Sequence, residues 1–170
     1  IPKSAEDDIS NEPESGKQCI SLLLLMLFTI PFWICFEQAG GSLTFFAEYQ
    51  TDRFIWGHKI PTEYFQALNP LFIIILAPRM SALWDKLRKI HRESTSVEKF
   101  AIALFIMAIS YVILAIAGDY SAASLVSPLW LVFGYFIMTI AELCLSPIGL
   151  SLVSKLAPKR FLSLMMGCWF

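Results

Sequence analysis

Polar and apolar positions divide this chain into long blocks. Cys19 to Ala47 is a stretch of 29 residues with one charge, Glu37. Tyr64 to Pro78 carries none, and its apolar pattern continues past Arg79 to Trp84. Phe100 to Gly118 is 19 residues without a charge, and Tyr120 to Ser154 is 35 residues with one, Glu142. A helix needs about 20 apolar residues to cross a hydrocarbon core about 30 Å thick. Three blocks meet that length outright. The second meets it when Arg79 extends its charged end to the interface. The pattern predicts an all-α, polytopic membrane protein with helices at about 20–47, 64–84, 100–118 and 128–154, and a fifth beginning at 161.

Residues 1–18 read differently. They hold five acidic and two basic residues, Pro2, Pro13 and several serines. Such a segment buries too little to fold alone and is expected to be a linker or tail, ahead of a helical half-domain over 19–170. A secretory signal peptide is excluded, because 18 residues precede the first apolar run and the run is too long. The chain opens on Ile1 and stops at Phe170 inside an apolar run, so it reads as a piece of a longer protein.

Composition narrows the class. Hydrophobic residues make up 56% of the 170, charged residues 16%, and the formal charge is 13 − 14 = −1. Soluble domains carry about 25% charge. Together with a mean hydropathy of +0.62, this argues against a water-soluble enzyme. The near-zero charge excludes a basic nucleic-acid-binding face. The two histidines and four cysteines form no C-x-x-C pair or close cluster, so no zinc or iron–sulfur site and no cofactor is expected. The cysteines read as small apolar residues rather than disulfide partners. The basic residues are unevenly placed. Alternating loops put eleven of them on the side of the N-terminal tail and only Arg53 and Lys59 on the other. By the positive-inside rule the tail is cytoplasmic. The short loops suggest a bacterial inner membrane.

Two glutamates sit at membrane depth. A charged residue at the centre of a spanning helix costs about 2.5–3.5 kcal/mol on insertion scales, and such residues mark binding sites and proton relays. The bland alternative is an ion pair inside the bundle, but this chain has no Lys, Arg or His in mid-membrane to supply the cation. Helical spacing places polar groups beside each carboxylate. Trp33, Glu37, Gly41 and Thr44 would share one face of the first helix. Thr139, Glu142, Ser146 and Gly149 would share one of the fourth, with Tyr135 a turn further out. Gln66 and Asn69 would share one of the second. Pro31, Pro70 and Pro147 each interrupt a helix near these groups. Broken helices around midplane polar groups are what transporters use for binding and bending. Ordinary kinks at the prolines, close packing at Gly40 and Gly41, and interhelical bonding by Asn69 remain open alternatives. The third helix, with only Ser110 and Tyr111 as polar groups, reads as a peripheral, lipid-facing support.

Four segments carry a family resemblance. Phe32-Trp33-Ile34-Cys35-Phe36-Glu37-Gln38, followed by Gly41-Ser42-Leu43, resembles the seventh helix of proton-dependent oligopeptide transporters of the major facilitator superfamily. Phe65-Gln66-Ala67-Leu68-Asn69-Pro70-Leu71-Phe72 resembles the eighth. Ala141-Glu142-Leu143-Cys144-Leu145-Ser146-Pro147-Ile148-Gly149-Leu150-Ser151 resembles the tenth, and Met166-Gly167-Cys168-Trp169-Phe170 the start of the eleventh. The resemblance implies most of the second half of a twelve-helix fold, with a missing amino-terminal six-helix half as its partner. It implies symport of di- and tripeptides with protons across a lipid bilayer. It implies that Glu37 is the proton-coupling carboxylate, that Asn69 and Glu142 hold the peptide's amino terminus, and that Trp33, Ser146, Trp169 and Phe170 line the pocket. A major facilitator carrying another solute, such as nitrate or a drug, is the alternative. A channel subunit would show a filter loop or repeated pore-lining residues, and an intramembrane enzyme would show a nucleophile–base pairing. Neither pattern is visible.

Overall fold

The computed structural model describes residues 12–55, 57–90, 95–157 and 162–169. Among the described residues the order is α1 (Glu12–Glu37), α2 (Ser42–Tyr49), β1 (Phe54–Ile55), β2 (His58–Lys59), α3 (Glu63–Gln66), α4 (Leu68–Lys89), α5 (Ser96–Ser121), α6 (Leu129–Leu156) and α7 (Leu162–Trp169). Four helical stretches are long and apolar enough to span a bilayer: Ile20–Tyr49, Glu63–Lys89, Ser96–Ser121 and Leu129–Ser154. The helix α1 starts at Glu12, so helical structure reaches into the polar stretch expected to be a tail.

The chain forms two compact units, Pro31–Ser146 and the pair of segments Ile1–Ile30 and Pro147–Phe170. The boundaries fall at Pro31 inside α1 and Pro147 inside α6. A proline within a helix lacks the amide that would bond four residues back and crowds that carbonyl, so each boundary lies where the helical ladder is weakest. Within the smaller unit, the Trp169 ring lies against Gly149 so closely that a Cβ there would stand 1.9 Å from it. Only glycine permits that approach.

Within Pro31–Ser146, α5 begins with a capping box. Thr95 Oγ1 accepts the Glu98 amide at 3.2 Å and the Glu98 carboxylate accepts the Thr95 amide at 2.7 Å, which satisfies orphan donors of the first turn. The helix then buries Phe100, Ala103, Met107, Ser110, Leu114 and Ala117, and exposes Phe105, Val112 and Ile116. Ser110 Oγ donates to the Gly134 carbonyl of α6 at 2.9 Å. A Cβ on Gly134 would lie 2.8 Å from Leu114. The third spanning helix therefore has one face packed within this unit and one exposed, lipid-compatible face. An apolar helix hides this distinction, since its protein-facing and lipid-facing sides are built from the same residues.

Two breaks also differ from the sequence expectation. The first span ends as α1 at Glu37, turns through Gln38–Gly41 and resumes as α2. Trp33, Glu37, Gly41 and Thr44 thus do not lie on one continuous helical face. The second span is interrupted at Ala67, before Pro70. Pro70 falls in the first turn of α4, where its missing amide would have had no intrahelical partner.

The segment between the first two spans is tightly bound. Pairing of Phe54 with Lys59 and Ile55 with His58 closes around Gly57, whose φ of 80° suits a residue without a side chain. Arg53 is buried at 5% exposure. It pairs with Glu48 Oε1 at 2.6 Å and donates to the Ile60 carbonyl at 3.1 Å. Asp52 N and Val126 O, 2.8 Å apart, together with Val126 N and Gln50 O, 2.9 Å apart, tie this loop to the one before α6. Arg53→Ala removes the donors that satisfy these groups and is expected to destabilise the fold by about 2 kcal/mol. The check is a thermal melt of detergent-solubilised protein, and an unchanged melt would contradict this account.

Candidate functional site

The polar centre of the Pro31–Ser146 unit is built by α4 and α6. Asn69 sits in the first turn of α4 and Glu142 in the middle of α6. Asn69 Nδ2 donates to Glu142 Oε2 at 2.9 Å and to Thr139 Oγ1 at 3.2 Å. Thr139 Oγ1 donates its own proton to the Tyr135 carbonyl at 2.8 Å, so toward Asn69 it can only accept. Both partners of the Asn69 nitrogen are therefore acceptors, which fixes the orientation of the amide. Asn69 Oδ1 and Glu142 Oε1 are left without a hydrogen-bond partner among the described residues. Both residues are half-buried, so these two acceptor oxygens are accessible. The edge-to-face contact of Phe72 with Phe136, with ring centres 5.4 Å apart, packs the same two helices together.

A second polar group surrounds the break after α1. Glu37 is the last residue of the helix and is exposed, and its carboxylate has no hydrogen bond or ion pair among the described residues. One turn earlier, Trp33 is half-buried in an aromatic group, with its ring centre 5.5 Å from that of Phe32 and 5.4 Å from that of Phe36. Added Cβ atoms at Gly40 and Gly41 would meet their nearest neighbours at 3.8 and 3.6 Å, an ordinary contact, so these glycines are not required for space. Thr44 Oγ1 donates to the Ala39 carbonyl at 3.0 Å and accepts from Gln66 Nε2 at 2.9 Å.

The arrangement offers a paired carboxylate and amide oxygen at one point and an unpaired carboxylic acid at another. An apolar groove of about 660 Å³ between α4 and α6, lined by Phe72, Trp130 and Phe133 among others, carries no charged side chain and is not the candidate site.

The model of the POT family matches residues 6–170. The chain belongs to the POT family. This family is made up of transporters, not enzymes, and they are integral membrane proteins. Among curated relatives, a peptide transporter of Yersinia enterocolitica is 42% identical over 89% of this chain and 30% of its own length. The dipeptide and tripeptide permease A of Escherichia coli is 35% identical over 91% of this chain and 30% of its own length. A crystal structure of a POT peptide transporter in complex with sulfate superposes with a TM-score of 0.84 at 40% identity, covering 92% of this chain and 31% of that one. A POT family transporter in complex with 5-aminolevulinic acid gives 0.77 at 33% identity, over 91% and 32%. The chain thus spans about a third of the length of the POT proteins it matches.

Of the residues expected at a POT site, the structure brings Asn69 and Glu142 into direct contact. Ser146 follows Glu142 by one helical turn and is half-buried. Trp169 lies in the other unit, buried against Gly149. Phe170 lies outside the described residues. Sequence reading missed the role of Tyr111, whose hydroxyl donates to the Cys35 carbonyl at 2.5 Å. A tyrosine in an otherwise apolar helix was the available signal, since a buried phenol needs a partner.

Proposed function

We infer that this chain is the substrate- and proton-handling part of a proton-coupled symporter of di- and tripeptides. The observation that carries the reading is the pair of free acceptors on Asn69 and Glu142. An ammonium group has three donors and no acceptor. On leaving water it must regain those hydrogen bonds. A carboxylate oxygen and an amide oxygen held together by their own hydrogen bond present the complementary surface, and the carboxylate adds the countercharge. The relatives support this: they are named as peptide carriers, and 5-aminolevulinic acid in the solved one also bears a primary amine.

Glu37 is the proton carrier in this reading. A carrier must bind a proton on one side of the cycle and release it on the other, and a carboxyl group without a fixed cation can do both. Trp33 and Ser146 each stand one helical turn from a carboxylate, Glu37 and Glu142 respectively. The excess of basic residues on the side of the N-terminal tail and the 85–99 loop supports a cytoplasmic position for that side, and the short loops support a bacterial inner membrane. The experiment is uptake of a labelled dipeptide into proteoliposomes holding the full-length transporter. An inward proton gradient should produce accumulation above the outside concentration, and collapse of the gradient should abolish it. Accumulation indifferent to the gradient would reject the symport reading.

A further inference from the structure

The break beside Glu37 has an unusual backbone ladder. The amides of Gln38, Ala39, Gly40 and Gly41 each bond three residues back, at 3.1–3.2 Å, and Leu43 N then reaches five back to Gln38 O at 3.0 Å. Tight and wide turns in succession are a frequent mark of functional hinges. Among the described residues the Ala39 carbonyl is consequently skipped by the backbone and takes only side-chain donors, Thr44 Oγ1 at 3.0 Å and Tyr135 OH at 3.2 Å. The Cys35 carbonyl, two residues on the other side of Glu37, takes Tyr111 OH at 2.5 Å beside the Gln38 amide. Two phenols from two different helices, α5 and α6, thus hold the carbonyls that bracket Glu37.

In a continuous α-helix the Cys35 and Ala39 carbonyls would accept the amides of Ala39 and Leu43. The Tyr135 phenol would then meet a carbonyl already occupied by the backbone, whereas the Cys35 carbonyl accepts a backbone amide in either form and takes Tyr111 as a second donor. The Tyr135 hydrogen bond therefore favours the broken form over the continuous one, and a differential contact of this kind is what biases a two-state element. Tyr135 has a second connection. Its own carbonyl accepts Thr139 Oγ1, which in turn accepts Asn69 Nδ2. The same residue touches the break near Glu37 with its side chain and is linked to the Asn69–Glu142 pair through the Thr139 hydroxyl.

We propose that Tyr111 and Tyr135 are positioning residues for Glu37, clasping the α1–α2 break so that the carboxyl group is presented for proton exchange. The proposal rests on the reading of Glu37 as proton carrier. Neither hydroxyl has a hydrogen bond to Glu37 or Glu142 among the described residues, so their action is on the backbone.

The test uses the full-length transporter in proteoliposomes, with Tyr111→Phe, Tyr135→Phe and the double variant, and Glu37→Gln alongside. Gradient-driven accumulation and peptide-for-peptide counterflow are measured on the same monodisperse preparations. Each phenylalanine variant should lower the initial rate of gradient-driven uptake about fivefold, as expected for one hydrogen bond, and the double variant by more than either. Counterflow should stay within about twofold of the unsubstituted protein, because the backbone links to the substrate pair remain. Added to Glu37→Gln, the substitutions should leave counterflow at that variant's own level. Wild-type accumulation in the phenylalanine variants, with Glu37→Gln inactive in accumulation, overturns the clasp alone. A parallel loss of accumulation and counterflow overturns it as well, since that is the mark of a structural role. Full accumulation by Glu37→Gln overturns the proton-carrier reading and the clasp with it. The single variants each keep one hydroxyl in place and decide the question should the double variant not fold.

Discussion

Glu142→Ala is expected to weaken binding of a free dipeptide to the full-length transporter about a hundredfold, and to change binding of the same peptide with a blocked amino group by no more than about threefold. The carboxylate holds Asn69 Nδ2 at 2.9 Å and keeps a second oxygen available. Truncation removes the countercharge and one of two acceptors, leaving a ligand ammonium partly unpaired in a site of low polarity. Losing one partner of such a charged hydrogen bond costs about 2–5 kcal/mol. Asn69 would also lose the bond that orients it, although its bond to Thr139 at 3.2 Å remains. The comparison of free and blocked peptides separates recognition of the amino group from general damage to the site. Titration calorimetry on purified protein reads both, and an equal loss for the two ligands would move the ammonium site elsewhere.

The spans were legible because a hydrocarbon interior tolerates few charges, so charge-free runs mark it directly. Glu142 and Asn69 were legible for the same reason, as polar groups in apolar surroundings. Their contact was not, since no local pattern tells which faces of two distant helices meet. The end of α1 was also hidden. The carbonyls around it accept the hydroxyls of Tyr111 and Tyr135, which lie 76 and 96 residues away in sequence. Pro70 was read as a break inside a helix because the true N-cap, Ala67, has no side-chain acceptor to announce a start. The buried face of α5 was invisible because its lipid-compatible face is equally apolar. Arg53 stands out in the sequence only as one of two basic residues on its side of the membrane, and its bonds to Glu48 and Ile60 explain its burial.

The second large effect concerns Glu37. Glutamine is nearly the same size and keeps the helix end intact, but it cannot give up a proton. Coupling requires that the carrier be charged in one state and neutral in another, so that proton and peptide together bias the equilibrium between outward- and inward-open forms. The membrane potential adds about 2.3 kcal/mol per charge per 100 mV to that bias. If Glu37 is the carrier, as proposed, glutamine removes the protonation step and leaves the gradient nothing to act on. In the proposed reading the peptide is held at Asn69 and Glu142, to which Glu37 has no hydrogen bond among the described residues, so exchange of one peptide for another should persist. A glutamate that served only in packing would behave otherwise, with binding, exchange and accumulation declining together as less protein folds.

The most direct measurement places both activities on one sample. Glu37→Gln in the full-length transporter is purified, shown to be monodisperse, and reconstituted. Uptake of a labelled dipeptide is then followed with an inward proton gradient, and separately as counterflow against unlabelled peptide without one. The account predicts accumulation no higher than in protein-free vesicles and counterflow that persists. Full gradient-driven accumulation by this variant would contradict it.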